Sequence, residues 1–129
     1  MIILDVECYS NYFLLSLLNS DTGATKDFEL YEGKELECKI ADVLRTFTTL
    51  GFNSSNYDLP MIVAALRGDT NQQLKQLSDA IINSEQVWPV LRQFKISVPS
   101  AWRAPVNSFE FHSCERTPQV ANLSLSLGL

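Results

Sequence analysis

Three carboxylates carry the chemistry legible in this chain of 129 residues. Asp5 and Glu7 end an apolar run at the N-terminus, Ile2-Ile3-Leu4-Asp5-Val6-Glu7. Asp58 ends a polar stretch, Gly51-Phe52-Asn53-Ser54-Ser55-Asn56-Tyr57-Asp58, and leads through Leu59-Pro60 into an apolar helical pattern. In a strand, residues two apart point to the same side, roughly 7 Å from one another. Asp5 and Glu7 so placed can reach metal ions that themselves stand about 3.5–4 Å apart. Oxygen-only ligands of this kind suit Mg²⁺ and Mn²⁺ and not zinc. Taken singly, each group also has an ordinary reading. D-x-E is a common strand end, and an acid just before Leu-Pro is the usual signature of a helix cap.

The elements that must position these acids follow from periodicity. The apolar run at residues 1–4 is β-branched and does not alternate, which predicts a strand buried on both faces at the centre of a sheet. Residues 12–18 and 25–31 predict two further strands. Between them Asn19-Ser20-Asp21-Thr22-Gly23 is turn chemistry, so the three strands make an antiparallel meander. Leu36, Ile40, Val43, Leu44 and Phe47 form an apolar stripe of helical period, predicting a helix over 33–49. A brief strand over 50–52 and a loop over 53–56 precede a helix opened by Tyr57-Asp58-Leu59-Pro60 and running to about Arg67. Gly68-Asp69 breaks it. A helix follows over 70–83, with Leu74, Leu77, Ile81 and Ile82 inward, and a short one over 86–94. Pro99 and Pro105 predict a loop over 95–106, in which Trp102 and Arg103 could meet a nucleic acid strand although packing suits Trp102 better. Residues 109–112 and 121–129 alternate as strands do. The only histidine, His112, reads as structural.

Composition bounds the rest. The length suits one domain, residues 1–129, and 46% apolar residues provide for a sizeable core. The longest apolar stretches are far too short to cross a bilayer, so no membrane partner is expected. No basic segment precedes an apolar one at the N-terminus, so a cytoplasmic location is expected. Cys8, Cys38 and Cys114 are an odd, unpatterned set, read as reduced thiols. A net charge of −5 argues against a broad sequence-independent grip on nucleic acid, although a metal-dependent nuclease clusters acids by necessity.

Together the two acid stretches resemble the first two motifs of the DEDD-type 3′–5′ exonucleases, a family with a ribonuclease H-like fold. Asp5-Val6-Glu7 is similar to the first motif and Asn53-Ser54-Ser55-Asn56-Tyr57-Asp58 to the second. With Asn11-Tyr12-Phe13 after the first and Leu59-Pro60 after the second, the pattern looks like the exonuclease domains of bacteriophage DNA polymerases. It covers residues 1–83 well and 84–129 weakly. The resemblance implies an α/β, ribonuclease H-like mixed sheet flanked by helices, in a shortened version. It implies that Asp5, Glu7 and Asp58 are catalytic and hold two Mg²⁺ or Mn²⁺ ions, and that Asn53 and Tyr57, bordered by Asn11 and Tyr12, shape the pocket for a DNA 3′ end. The implied partner is single-stranded DNA or a primer-template, in a host cytoplasm if the chain is of phage origin. The family's third motif, a Tyr or His four or five residues before a fourth Asp, is missing. Asp69 is preceded at those positions by Ala65 and Ala64, Asp79 by Lys75 and Leu74, and His112 is followed at plus four by Arg116. Two readings follow: the N-terminal part of a longer enzyme, or a scaffold that has lost catalysis and binds or inhibits a protein or nucleic acid partner.

Overall fold

The computed structural model describes residues 1–51 and 54–102. Alternating apolar residues build three strands, β1 (Ile2–Tyr9), β2 (Tyr12–Asn19) and β3 (Thr25–Leu30), and then α1 (Lys39–Thr46) and β4 (Thr49–Leu50). A π-helical turn, Ser54–Asp58, runs directly into α2 (Leu59–Leu66), followed by α3 (Asn71–Ile82), α4 (Val87–Gln93) and a 3₁₀ turn, Ser100–Trp102. The strands form one mixed sheet in the order β3-β2-β1-β4. β1 pairs antiparallel with β2, from Ile2 opposite Asn19 to Tyr9 opposite Tyr12, and β2 antiparallel with β3. β4 runs parallel to β1, pairing Ile2 with Thr49 and Ile3 with Leu50. The architecture is mixed α/β, as expected, with the meander starting at β1.

β1 differs from expectation in its burial. Ile2, Leu4 and Val6 are buried, whereas Asp5 and Glu7 between and beyond them are exposed. The strand therefore alternates, and the expectation of burial on both faces is corrected. Its inward residues join Phe13, Leu15 and Leu17 of β2 and Phe28 and Leu30 of β3 in one core with Ile40 and Leu44 of α1, Met61 and Ile62 of α2, and Leu74 and Leu77 of α3. Asp5, Glu7, Tyr12, Leu14 and Ser16 lie on the opposite face, half-buried or exposed. The α1 helix is shorter than its apolar stripe predicts. Gly33 turns the chain at φ +78° and the Lys34 N–H donates to the Tyr31 carbonyl, so helical geometry starts only at Lys39. Leu36 still reaches the core from the irregular segment before it.

α3 begins with a capping box: Thr70 Oγ1 accepts the Gln73 N–H and Gln73 Oε1 accepts the Thr70 N–H. Asn71 Nδ2 donates to the Leu30 carbonyl at 3.0 Å and ties the helix start to the end of β3. Arg67 closes the other side. Its guanidinium donates to both Asp69 carboxylate oxygens at 2.9 Å and to the Phe94 and Lys95 carbonyls at 3.0 Å, pinning the end of α4 to the end of α2. Arg67→Ala is expected to cost ~1–2 kcal/mol in urea unfolding, because two carbonyls and a carboxylate lose charge-assisted donors at a partly solvated site. Arg67→Lys should recover little, since an ammonium cannot fork across four acceptors.

Cys8 is a free thiol. Among the described residues no helix is long and apolar enough to cross a membrane. Asn53, Arg103, His112, Cys114 and the strands expected over 109–112 and 121–129 lie outside the described residues.

Candidate active site

The site arises because β4 is so short. Among the described residues it pairs with β1 only as far as Ile3, so beyond that point the far edge of β1 is open to other partners for its outward N–H groups. The turn Ser54–Asp58 packs against this edge. Asp58, only 5% exposed, accepts a hydrogen bond from the Val6 backbone N–H and lies within electrostatic reach of Asp5. Burial pushes its carboxyl up to about 6, the Asp5 charge pushes the same way, and the Val6 N–H opposes both.

Asp58 is thus no helix cap. It stands at the N-cap position of α2, but its backbone is helical (φ −61°, ψ −49°) and its side chain makes no capping hydrogen bond. A cap needs an extended backbone and accepts from the second or third N–H of its helix. Here the π-turn delivers a backbone that is already helical, and the second helical residue is Pro60, which has no N–H to give. The carboxylate is left to turn inward, onto β1.

The two flanking groups are held differently. Tyr57 is half-buried, and its hydroxyl shares a 2.7 Å hydrogen bond with Ser78 Oγ on α3. Burial raises its phenol above the ordinary value despite that bond. Next to it burial pushes the Cys8 thiol up to about 11, with the Lys75 ammonium opposing, so this sulfur is a weak nucleophile. Lys75 Nζ is bound to Asp79 Oδ1 at 2.7 Å one turn along α3, and the carboxylate holds the ammonium above its ordinary value. Ser78 escapes the sequence reading, in which Lys75 and Asp79 figure only as a failed match to the third motif. The signal available for Ser78 is its place on the inward stripe of α3, where it sits beside Leu74, Leu77 and Ile81 as the polar member of a buried set.

Glu7 is exposed, and its carboxylate accepts a weak bond from the Tyr9 hydroxyl at 3.4 Å. Asn11 is exposed in the two-residue turn joining β1 to β2. Tyr12 is turned toward β3. Its hydroxyl donates to Glu29 Oε2 at 2.7 Å, its ring stacks on Tyr31 at 6.4 Å, and the Glu29 bond is the leading cause that raises its phenol to about 12. Of the expected site residues, therefore, Asp5 and Asp58 come together over the β1 edge with Tyr57 beside them. Glu7 and Tyr12 share the open sheet face without joining that pair.

A buried carboxylate beside a second, exposed one is a donor set that fits a hard divalent cation, because the ion relieves both the desolvation and the mutual repulsion. Among the described residues no group of three or more His, Cys, Asp and Glu side chains is arranged to hold a metal ion. No protein-family model, curated protein or solved structure matches this chain.

Proposed function

We propose that this chain is a ribonuclease H-like domain of the DEDD exonuclease type that acts on the 3′ end of DNA through carboxylate-bound Mg²⁺ or Mn²⁺. The observation that carries the reading is Asp58: its carboxylate is drawn from its own helix onto the open edge of β1, beside Asp5. The strand order β3-β2-β1-β4, with a single parallel pair between β1 and β4, supports it as well.

When bound, the metal supplies a Lewis acid that activates water and stabilises the leaving 3′ oxygen. Asp5 and Asp58 would hold it, Asp58 after releasing its proton and with its carboxylate oriented by the Val6 N–H. The Tyr57–Ser78 bond fixes the turn that carries Asp58 against α3. Glu7, exposed on the same sheet face, would be the third carboxylate available to the metal. The convergence of two acids rather than three among the described residues favours a second reading, in which the scaffold keeps a metal or partner site without catalysis.

Titration with Mn²⁺ by calorimetry, alongside 3′-end shortening of a labelled single strand, tests both. In the wild type, Mn²⁺ binding that weakens as pH falls below about 6, where Asp58 holds its proton, is expected. Asp5→Ala should weaken binding at least tenfold and abolish shortening. Binding without shortening would select the second reading. Wild-type affinity in Asp5→Ala would remove the site assignment altogether.

A further inference from the structure

α4 and the chain after it enclose a cleft of about 500 Å³ whose lining includes Asn56, Trp88, Leu91, Arg92, Ile96 and Val98. From these residues we infer that the cleft holds one unpaired nucleobase of a single DNA strand whose end lies at Asp58, an inference that rests on the function proposed above.

Trp88 is 59% exposed, an unusual placement for the largest apolar side chain. Arg92, one turn further along α4, holds its guanidinium carbon 3.9 Å from the centre of the indole ring. An exposed indole with a guanidinium over one face is a stacking platform that leaves its other face for a second flat group. Unpaired bases stack on such platforms irrespective of sequence. The same guanidinium presents fixed donors to a phosphate, in a chain whose net charge is −5. The Asn56 amide offers a donor and an acceptor to a base edge. Leu91, Ile96 and Val98 give an apolar floor that a sugar-phosphate alone would not use. An apolar peptide would leave Arg92 and Asn56 without partners, which disfavours it.

Asn56 also ties the cleft to the candidate active site. It belongs to the same five-residue turn as Asp58, two residues before it. Successive Cα atoms are about 3.8 Å apart, so the two residues stand no more than about 7–8 Å from each other along the chain. Asn56 thus brings one wall of the cleft to within two residues of Asp58.

The test is oligo(dT) binding in EDTA, followed by tryptophan fluorescence and by anisotropy of a labelled strand, on the full chain. The wild type should show quenching on binding. Trp88→Ala should bind about tenfold more weakly or worse, with Trp88→Phe recovering most of the affinity. Arg92→Gln should weaken binding and reduce the slope of log K against log salt by about 0.7, the loss of one phosphate contact on a single strand. Both substituted side chains are exposed, so folding is not at stake. Wild-type affinity in Trp88→Ala and Arg92→Gln, or no oligo(dT) binding by the wild type, would overturn the inference. Mn²⁺ titration of the same samples separates the two ideas. Metal binding that depends on Asp5 without an effect of Trp88 sinks the cleft alone. Trp88-dependent strand binding without metal affinity sustains the cleft and sinks the hydrolytic reading.

Discussion

Asp58→Asn is expected to stabilise the protein at pH 7 while abolishing its affinity for Mn²⁺. The ordinary carboxyl value is 3.8, and burial beside Asp5 raises it to about 6 in the fold. Between those values the folded protein keeps a proton that the unfolded chain has released. Stability is then at its fullest below about pH 4 and is lost as pH rises through 6. Asparagine has no charge to desolvate, and its amide oxygen can still accept the Val6 N–H. The variant should therefore match the wild type near pH 4 and exceed it at pH 7 by ~1–3 kcal/mol, two pKa units being the upper bound. Mn²⁺ works against that difference. A cation at a hundred times its dissociation constant adds about 2.7 kcal/mol to a protein that binds it and nothing to one that does not. Urea unfolding from pH 4 to 8, with and without MnCl₂, reads both effects. A variant less stable than the wild type at pH 7 without metal would make Asp58 a structural hydrogen-bonding group and nothing more.

That trade of stability for a charged, desolvated carboxylate is where pattern reading and structure part company. The meander is legible because its signals are local: short apolar runs in β1 to β3 and Asn, Asp and Gly between β2 and β3 mark the strands, although the alternation of β1 is not read. α3 was legible because its inward stripe has a helical period. Two features were not. The stripe from Leu36 to Phe47 has a helical period, yet the helix occupies only Lys39–Thr46, because the Gly33 turn sets the chain direction and Leu36 can reach the core without a helix under it. The turn Ser54–Asp58 reads as a loop by its Asn and Ser residues, but it is helical, since packing against the β1 edge overrides composition there. That single difference decides the role of Asp58. By residue type it is a cap, and only the helical backbone on its N-terminal side turns its carboxylate onto β1. Asp5 and Asp58 could be proposed as partners from the sequence, but their meeting depends on β4 ending at Leu50, which no pattern announces.

The other buried charge lies in α1, and disrupting it should cost more than any other single change considered. Asp42 in the first turn and Arg45 in the last turn form an ion pair, with 2% and 7% of their surfaces exposed. Each charge suits the helix end it occupies. The second Asp42 oxygen, Oδ2, is buried with no hydrogen-bond partner among the described residues, so the carboxylate depends on the guanidinium for compensation. Arg45→Met removes that compensation and leaves a buried anion. An expected loss of ~3–5 kcal/mol follows, against a total of about 5–15 for a domain. Asp42→Leu combined with Arg45→Met should be much closer to the wild type than either single variant, because the double change leaves no charge to desolvate. A double-mutant cycle by urea unfolding measures the coupling. The double variant also identifies the cause. A double variant close to the wild type makes the loss in Arg45→Met electrostatic, because removing the stranded carboxylate restores stability. A double variant as unstable as Arg45→Met alone places the loss in the missing stem of the arginine.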